Sequence, residues 1–185
     1  MLASRSVRGP ILSGPLGASG VLESLLRRRR GRGPVAGIGP LWLGETLAAE
    51  LPVALLFEPE ERVRARRIAR RTAAAGRRLA LVMAGVELPL GRASIGALVV
   101  DDAATLEADA VASWMAALVP TLRPGGCLVS ADVTDDPAVE ARLAGLFVAS
   151  ALTGVAQDRP RDGVVLTVGR APAQGLVRAR FSPSD

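Results

Sequence analysis

The stretch PVAGIGPLWLGETLAAELPVALLFE, residues 34–58, decides how the rest of the chain is read. Residues 35–38 form a short strand that enters a turn marked by Gly37 and Gly39, and residues 41–51 follow as a helix that ends at Pro52. Residues 53–57 are an unbroken apolar run, the pattern of a strand covered on both faces in a parallel sheet. Glu58 closes the unit. Glycine has no side chain, so its backbone approaches a ligand closely, and the helix that follows offers free N–H groups. An acid at the end of the second strand accepts hydrogen bonds from a ribose diol. The unit therefore predicts half of a nucleotide-binding sheet.

Strand and helix alternate outward from it. Residues 1–17 hold Gly9-Pro10 and Gly14-Pro15 without periodicity, which predicts a flexible lead-in. Val21, Leu22, Leu25 and Leu26 share one helical face and run into Arg27, Arg28, Arg29 and Arg30, followed by Gly31, Arg32 and Gly33. Such a run either solvates a helix end or grips phosphate or an acidic partner. Residues 60–75 predict a helix with Ala65, Ile68, Ala69, Thr72 and Ala73 inside and Arg62, Arg66, Arg67, Arg70 and Arg71 around them. Glu60 and Glu61 open this helix, as on an ordinary surface helix, and Gly76 stops it.

Residues 79–84 and 97–100 predict the third and fourth strands, the latter ending at Asp101 and Asp102. A helix over 105–119 turns Val111, Trp114, Met115 and Leu118 inward. Arg123-Pro124-Gly125-Gly126 reads as a tight turn into a strand over 127–131, ending at Asp132. Asp135 or Asp136 caps the next helix, which buries Val139, Leu143, Leu146 and Phe147. Strands over 152–157 and 164–168 are joined through the turn-rich residues 158–163. The pattern predicts one α/β domain over residues 18–170, with a C-terminal tail over 171–185. Its sheet is seven-stranded and mainly parallel, with helices on both faces and an antiparallel last strand.

Composition narrows the chemistry. The 185 residues are 49% hydrophobic, enough for one core, and contain no His, Lys, Tyr or Asn. Those absences exclude a serine–histidine nucleophile, a lysine Schiff base and a Walker-type phosphate loop, and they leave no His/Cys zinc site. All 23 basic residues are arginine, which points to GC-rich coding, so clustering rather than the net charge of +5 must identify an anion surface. The single Cys127 fits a small buried hydrophobe in a reducing compartment. No apolar run reaches the ~20 residues that span a bilayer, and residues 1–20 lack the apolar core of a secretory signal. A cytoplasmic location is expected.

Four marks recur in one order: Gly37-Ile38-Gly39 after the first strand, Glu58 at 21 residues beyond Gly37, Glu87-Leu88-Pro89-Leu90 before the fourth strand, and Leu122-Arg123-Pro124-Gly125-Gly126 before the fifth. Over residues 22–172 this resembles the class I S-adenosylmethionine-dependent methyltransferases of the small-molecule type. The resemblance implies the Rossmann-like methyltransferase fold and S-adenosylmethionine as cofactor. It assigns Gly37 and Gly39 to the loop around the cofactor's methionine part and Glu58 to the ribose hydroxyls. Glu58 also reads as a cap for the helix that follows it.

Elsewhere the chain departs from the family. The family's acid two residues before the first glycine falls on Val35, its third glycine on Leu41, its adenine-contacting aspartate on Ala84, and the Phe-Asp that opens strand four on Ile95-Gly96. A dinucleotide fingerprint would further require glycine at Trp42.

For catalysis, Asp101 and Asp102 stand at the carboxyl end of strand four, where open α/β sheets place their ligands. A carboxylate there can deprotonate or orient a methyl acceptor; Asp102 reads equally as a helix cap. Three functions follow. The first is a methyltransferase-like protein without catalysis that binds, regulates or assembles, with a protein partner or a second copy of itself. The second is an active methyltransferase. The third is an RNA-associated module that grips phosphate through Arg27, Arg28, Arg29, Arg30 and Arg32 and the Arg62 to Arg71 face.

Overall fold

Seven stretches of this chain become strands of one sheet: in the central ones Val, Leu and Ala fit a pleated surface packed on both sides, while the edge strand over 153–161 is largely polar. The computed structural model describes residues 33–38, 53–57, 62–76, 79–83, 90–101, 103–105 and 108–173. The helix expected over 41–51 lies outside them. The described elements are β1 (Val35–Ile38), β2 (Val53–Phe57), α1 (Arg62–Ala74), β3 (Leu79–Met83), β4 (Ile95–Asp101), α2 (Ala108–Leu118), β5 (Leu122–Val133), α3 (Pro137–Ala149), β6 (Thr153–Arg161) and β7 (Val164–Arg170).

The strands lie in the order β3-β2-β1-β4-β5-β7-β6. All pairings from β3 to β5 are parallel, and β7 runs antiparallel between β5 and β6. The chain steps outward from β1 to β3 and then returns to the other side of β1 with β4. This reversal makes the carboxyl ends of β1 and β4 the topological switch point. Right-handed crossovers send the connections made before and after the reversal to opposite faces, so α1 covers one face and α2 and α3 the other.

The core on the second face gathers Leu98 and Val100 of β4, Leu128 of β5, Met115 and Leu118 of α2, and Leu143 and Phe147 of α3. On the first face α1 buries Ala65, Ile68 and Thr72, while Ala73, expected inside, is exposed. The Thr72 hydroxyl donates to the Ile68 carbonyl at 2.9 Å, which satisfies a polar group inside the helix–sheet contact. Trp114 also departs from its expected place and is 39% exposed. It stands at the margin of the stripe that Met115 and Leu118 define, one 100° step from Met115. Cys127 is buried within β5, as its small apolar character predicts.

Two connections differ from the sequence reading. Arg123-Pro124-Gly125-Gly126 is a bulge inside the 12-residue β5 rather than a turn before it, since Ile95 pairs with Leu122 and Ala97 with Cys127. Gly125 takes φ +74°, and a Cβ on Gly126 would lie 2.9 Å from the Arg123 carbonyl and 3.0 Å from that of Gly96. Glycine is therefore required where β5 folds against β4. Ala171 joins this corner: its N–H donates to the Gly126 carbonyl at 2.8 Å, and its own carbonyl accepts from the Gly125 N–H at 3.1 Å. The second difference is the β6–β7 connection. Strand β6 continues through Arg161, leaving Asp162 and Gly163 as the hairpin turn. Pro160 is tolerated because β6 is an edge strand and its register is irregular between Asp158 and Arg161.

Asp136, one of the two residues expected as cap, is the N-cap of α3. Its carboxylate accepts from the Ala138 N–H at 2.8 Å, and Pro137 follows where a missing N–H does no harm. No helix among the described residues is long and apolar enough to cross a membrane.

Candidate functional site

The carboxyl ends of β1, β4 and β5 form the described part of the switch-point edge. Gly37 lies inside β1, buried and paired with Leu55 on one side and Val99 on the other, so it belongs to the strand rather than to the turn. Asp101 is the last residue of β4, one position beyond the Ile38–Val100 pair, and it faces Ala131 of β5. It is half-buried. Gly39, Glu58 and Asp102 lie outside the described residues, as do Leu41, Ala84 and the arginines from Arg27 to Arg32. Of the expected site residues, the fold thus brings Gly37 and Asp101 to the central strands β1 and β4.

Two of the family departures take definite places. Val35 is fully buried in β1, in register with Val53 and Ala97. Ile95 and Gly96 lie at the start of β4, where the Gly96 N–H donates to the Pro34 carbonyl at 2.9 Å. That is the amino edge of the sheet, so Gly96 does not share a pocket with the switch-point residues. Strand direction decides this: β4 enters at residue 95 and reaches the ligand edge only at Asp101.

The sequence reading assigned no role to Asp132. It is fully buried near the end of β5 and accepts hydrogen bonds from the Ser130 hydroxyl and, at 2.6 Å, from the Ala104 N–H. Ala104 belongs to the short 3-10 turn Ala103–Thr105 directly after β4. From α3, Arg142 donates to the Ala104 carbonyl at 2.8 Å. One carboxylate and one guanidinium thus hold both sides of the Ala104 peptide and tie the end of β4 to β5 and α3.

Ser130, Thr167 and Gln157 continue this polar row across β5, β7 and β6 in register. Gln157 donates to the Thr167 hydroxyl at 3.1 Å and to the Glu140 carbonyl of α3 at 2.9 Å. A period-two signal was present in the sequence, Ser130 then Asp132 on one face of an otherwise apolar strand.

Chemically, Asp132 is a clamp whose acceptor atoms are engaged within the protein. Asp101 remains the described carboxylate at the ligand edge. A cavity of about 330 Å³ lies elsewhere, between the last turns of α2 and α3, lined by Met115, Ala116, Val119, Pro120, Leu146 and Ala149. Both helices run from the carboxyl edge back to the amino edge, so this cavity is at the end of the sheet opposite Asp101. Its one polar side chain, Ser150, donates to the Leu146 carbonyl. The cavity therefore offers apolar surface and lacks converging catalytic groups.

The sequence matches no family model, and no curated protein matches it. Solved structures do match. The apo form of the S-adenosylmethionine-dependent methyltransferase SibL superposes with a TM-score of 0.66 at 15% identity, over 84% of this chain and 55% of SibL. The [4+2]-cyclase SpnF gives 0.68 at 12% identity, over 91% of this chain and 88% of SpnF. The Burkholderia thailandensis 1,6-didemethyltoxoflavin-N1-methyltransferase, solved with its substrate and S-adenosylhomocysteine, gives 0.60 at 19% identity, over 84% of this chain and 76% of that enzyme. The chain thus spans little more than half of SibL. At such identities the likeness establishes the fold: this is a class I methyltransferase-like, Rossmann-like domain. One of these neighbours is a cyclase, which illustrates that a shared fold leaves the reaction open.

Proposed function

We propose that this chain is a methyltransferase-like protein that has lost methyl transfer and works as a binding, regulatory or assembly subunit. The observation that carries this reading is Val35. At the position where the resembled family places an acid stands the first residue of β1, a fully buried aliphatic side chain in register with Ala97 of β4. It has no charge to offer the cofactor's amino-acid end, which supports weakened binding of S-adenosylmethionine. The sequence adds Ala84 at the adenine-contacting position and Leu41 at the third glycine.

Two missing polar contacts at ~1–3 kcal/mol each weaken binding by ~2–6 kcal/mol, or about thirty-fold to more than ten-thousand-fold. The apolar cavity between α2 and α3, with the exposed Val148 on α3, supplies surface of the kind a binding subunit uses. Asp101 is the observation that favours the active alternative, since it stands at the edge where a methyl acceptor would lie.

Calorimetric titration of the full chain with S-adenosylmethionine and with S-adenosylhomocysteine separates the two readings. Loss of function predicts binding weaker than micromolar and no formation of S-adenosylhomocysteine from S-adenosylmethionine. Micromolar binding together with formation of S-adenosylhomocysteine from S-adenosylmethionine would overturn it.

A further inference from the structure

We infer that the outward face of α1 is a docking surface for the phosphodiester backbone of nucleic acid. The helix reads RVRARRIARRTAA and carries six arginines and no acid, more positive charge than the net +5 of the whole chain. Ala65, Ile68 and Thr72 are buried against the sheet, which fixes the orientation of the rest. At 100° per residue, Arg66, Arg67 and Arg70 fall on the side facing away from that stripe and Arg62 on its flank. All four are exposed, and among the described residues none of them forms an ion pair.

The arrangement is unlike that of a merely solvated helix. A surface helix gains from alternating acids and bases at i,i+4, whereas here Arg62/Arg66 and Arg66/Arg70 place like charges one turn apart. Such repulsion is relieved by an external polyanion. Arg62, Arg66 and Arg70 succeed one another every ~6 Å along the helix axis, a ladder of guanidinium groups facing a partner with charge repeated along its length.

The chemistry of the face selects among polyanions. Insertion into an anionic membrane requires large apolar residues beside the basic ones. Here the exposed large hydrophobe of α1 is Val63 alone, and the rest of the apolar stripe is committed to the sheet. A protein partner would be centred on aromatic or large aliphatic anchors, and this face carries a single valine, Val63, among its arginines. Arginines grouped around one small aliphatic side chain suit sequence-independent contact with phosphates, which RNA and DNA share. The inference does not depend on whether methyl transfer is retained, because no residue of α1 belongs to the switch-point edge between β1 and β4.

The test is fluorescence anisotropy of the full chain with labelled single-stranded RNA and double-stranded DNA of ~20 nucleotides from 50 to 300 mM salt, alongside co-sedimentation with phosphatidylserine vesicles. Four phosphates neutralised by α1 predict a slope of log affinity against log salt of about −2.8 for the single strand and about −3.6 for the duplex. Arg66→Gln with Arg70→Gln makes that slope shallower by about 1.4 to 1.8. A control with the same charge change at exposed sites elsewhere, Arg92→Gln with Arg170→Gln, leaves it unchanged. The relative slopes and affinities of the two probes assign the surface to RNA or DNA. Absence of binding at 50 mM salt, equal losses in the two double variants, or stronger retention on vesicles than on either nucleic acid would overturn the inference. Circular dichroism checks that all variants fold.

Discussion

Replacing Asp132 with alanine tests the claim that one buried carboxylate sets the geometry of the ligand edge. The side chain is fully buried and accepts from the Ser130 hydroxyl and the Ala104 N–H. Hydrogen bonds to a charged group contribute ~1.5–3 kcal/mol each, so removing two acceptors forfeits ~3–6 kcal/mol. Part of this is offset, because the variant no longer has to desolvate a carboxylate. A net destabilisation of about 2–4 kcal/mol remains, equivalent to a fall in melting temperature of ~4–16 °C for a chain of this size.

Ser130→Ala removes one of the two partners and should lose less than Asp132→Ala, while the double variant should fall short of the sum because the residues share one bond. Urea denaturation measures all three. Hydrogen exchange supplies the local readout: the Ala104 amide should lose protection in Asp132→Ala and keep it in Ser130→Ala. A denaturation midpoint for Asp132→Ala that corresponds to less than ~0.5 kcal/mol of change, or an Ala104 amide that stays protected, would refute the clamp.

The glycines of β5 and α3 should respond in opposite directions. Gly126→Ala drives a methyl group to 2.9 Å from the Arg123 carbonyl and should destabilise by ~1–3 kcal/mol in urea denaturation. Gly145→Ala meets nothing within 4 Å on an exposed helical position and should stabilise by ~0.5–1 kcal/mol. Asp136→Ala removes the side-chain bond to the Ala138 N–H and should lose ~1 kcal/mol, read as a lower thermal midpoint.

The sheet was legible in the sequence because strands covered on both faces are written as unbroken apolar runs, and Val53 to Phe57 or Ala97 to Val100 have few other ways to bury themselves. The cap at Asp136 was legible for a similar reason: a short acid before Pro137 has a local mechanism. Long-range geometry was less so. Proline and two glycines in succession usually signal a turn, yet Arg123 to Gly126 bulge within β5 because Gly126 packs against the backbone of β4 and Ala171 bonds to it. The role of Asp132 depends on the Ala104 peptide, 28 residues away, which becomes a neighbour only when β4 and β5 pair. Gly96 is the reverse case. It aligns with a motif position, but strand direction carries it to the far edge.

These placements separate the surfaces on which the functional readings rest. Helix α1 follows β2, whose carboxyl end lies at the ligand edge, so Arg62 begins near that edge and Arg70 stands ~12 Å further along the helix axis. The clamp of Asp132, Ser130 and Arg142 lies on the opposite face, beneath α3. A nucleic acid strand on α1 would touch neither the clamp nor the cavity between α2 and α3. Substitutions in the arginine ladder should therefore change affinity and salt dependence with stability held nearly constant, and substitutions in the clamp should do the reverse. Combining Arg66→Gln and Arg70→Gln with Ser130→Ala should then give additive effects on stability within ~0.5 kcal/mol, the result expected of sites that share no partners. A larger coupling would mean that the basic helix and the ligand edge act as one unit.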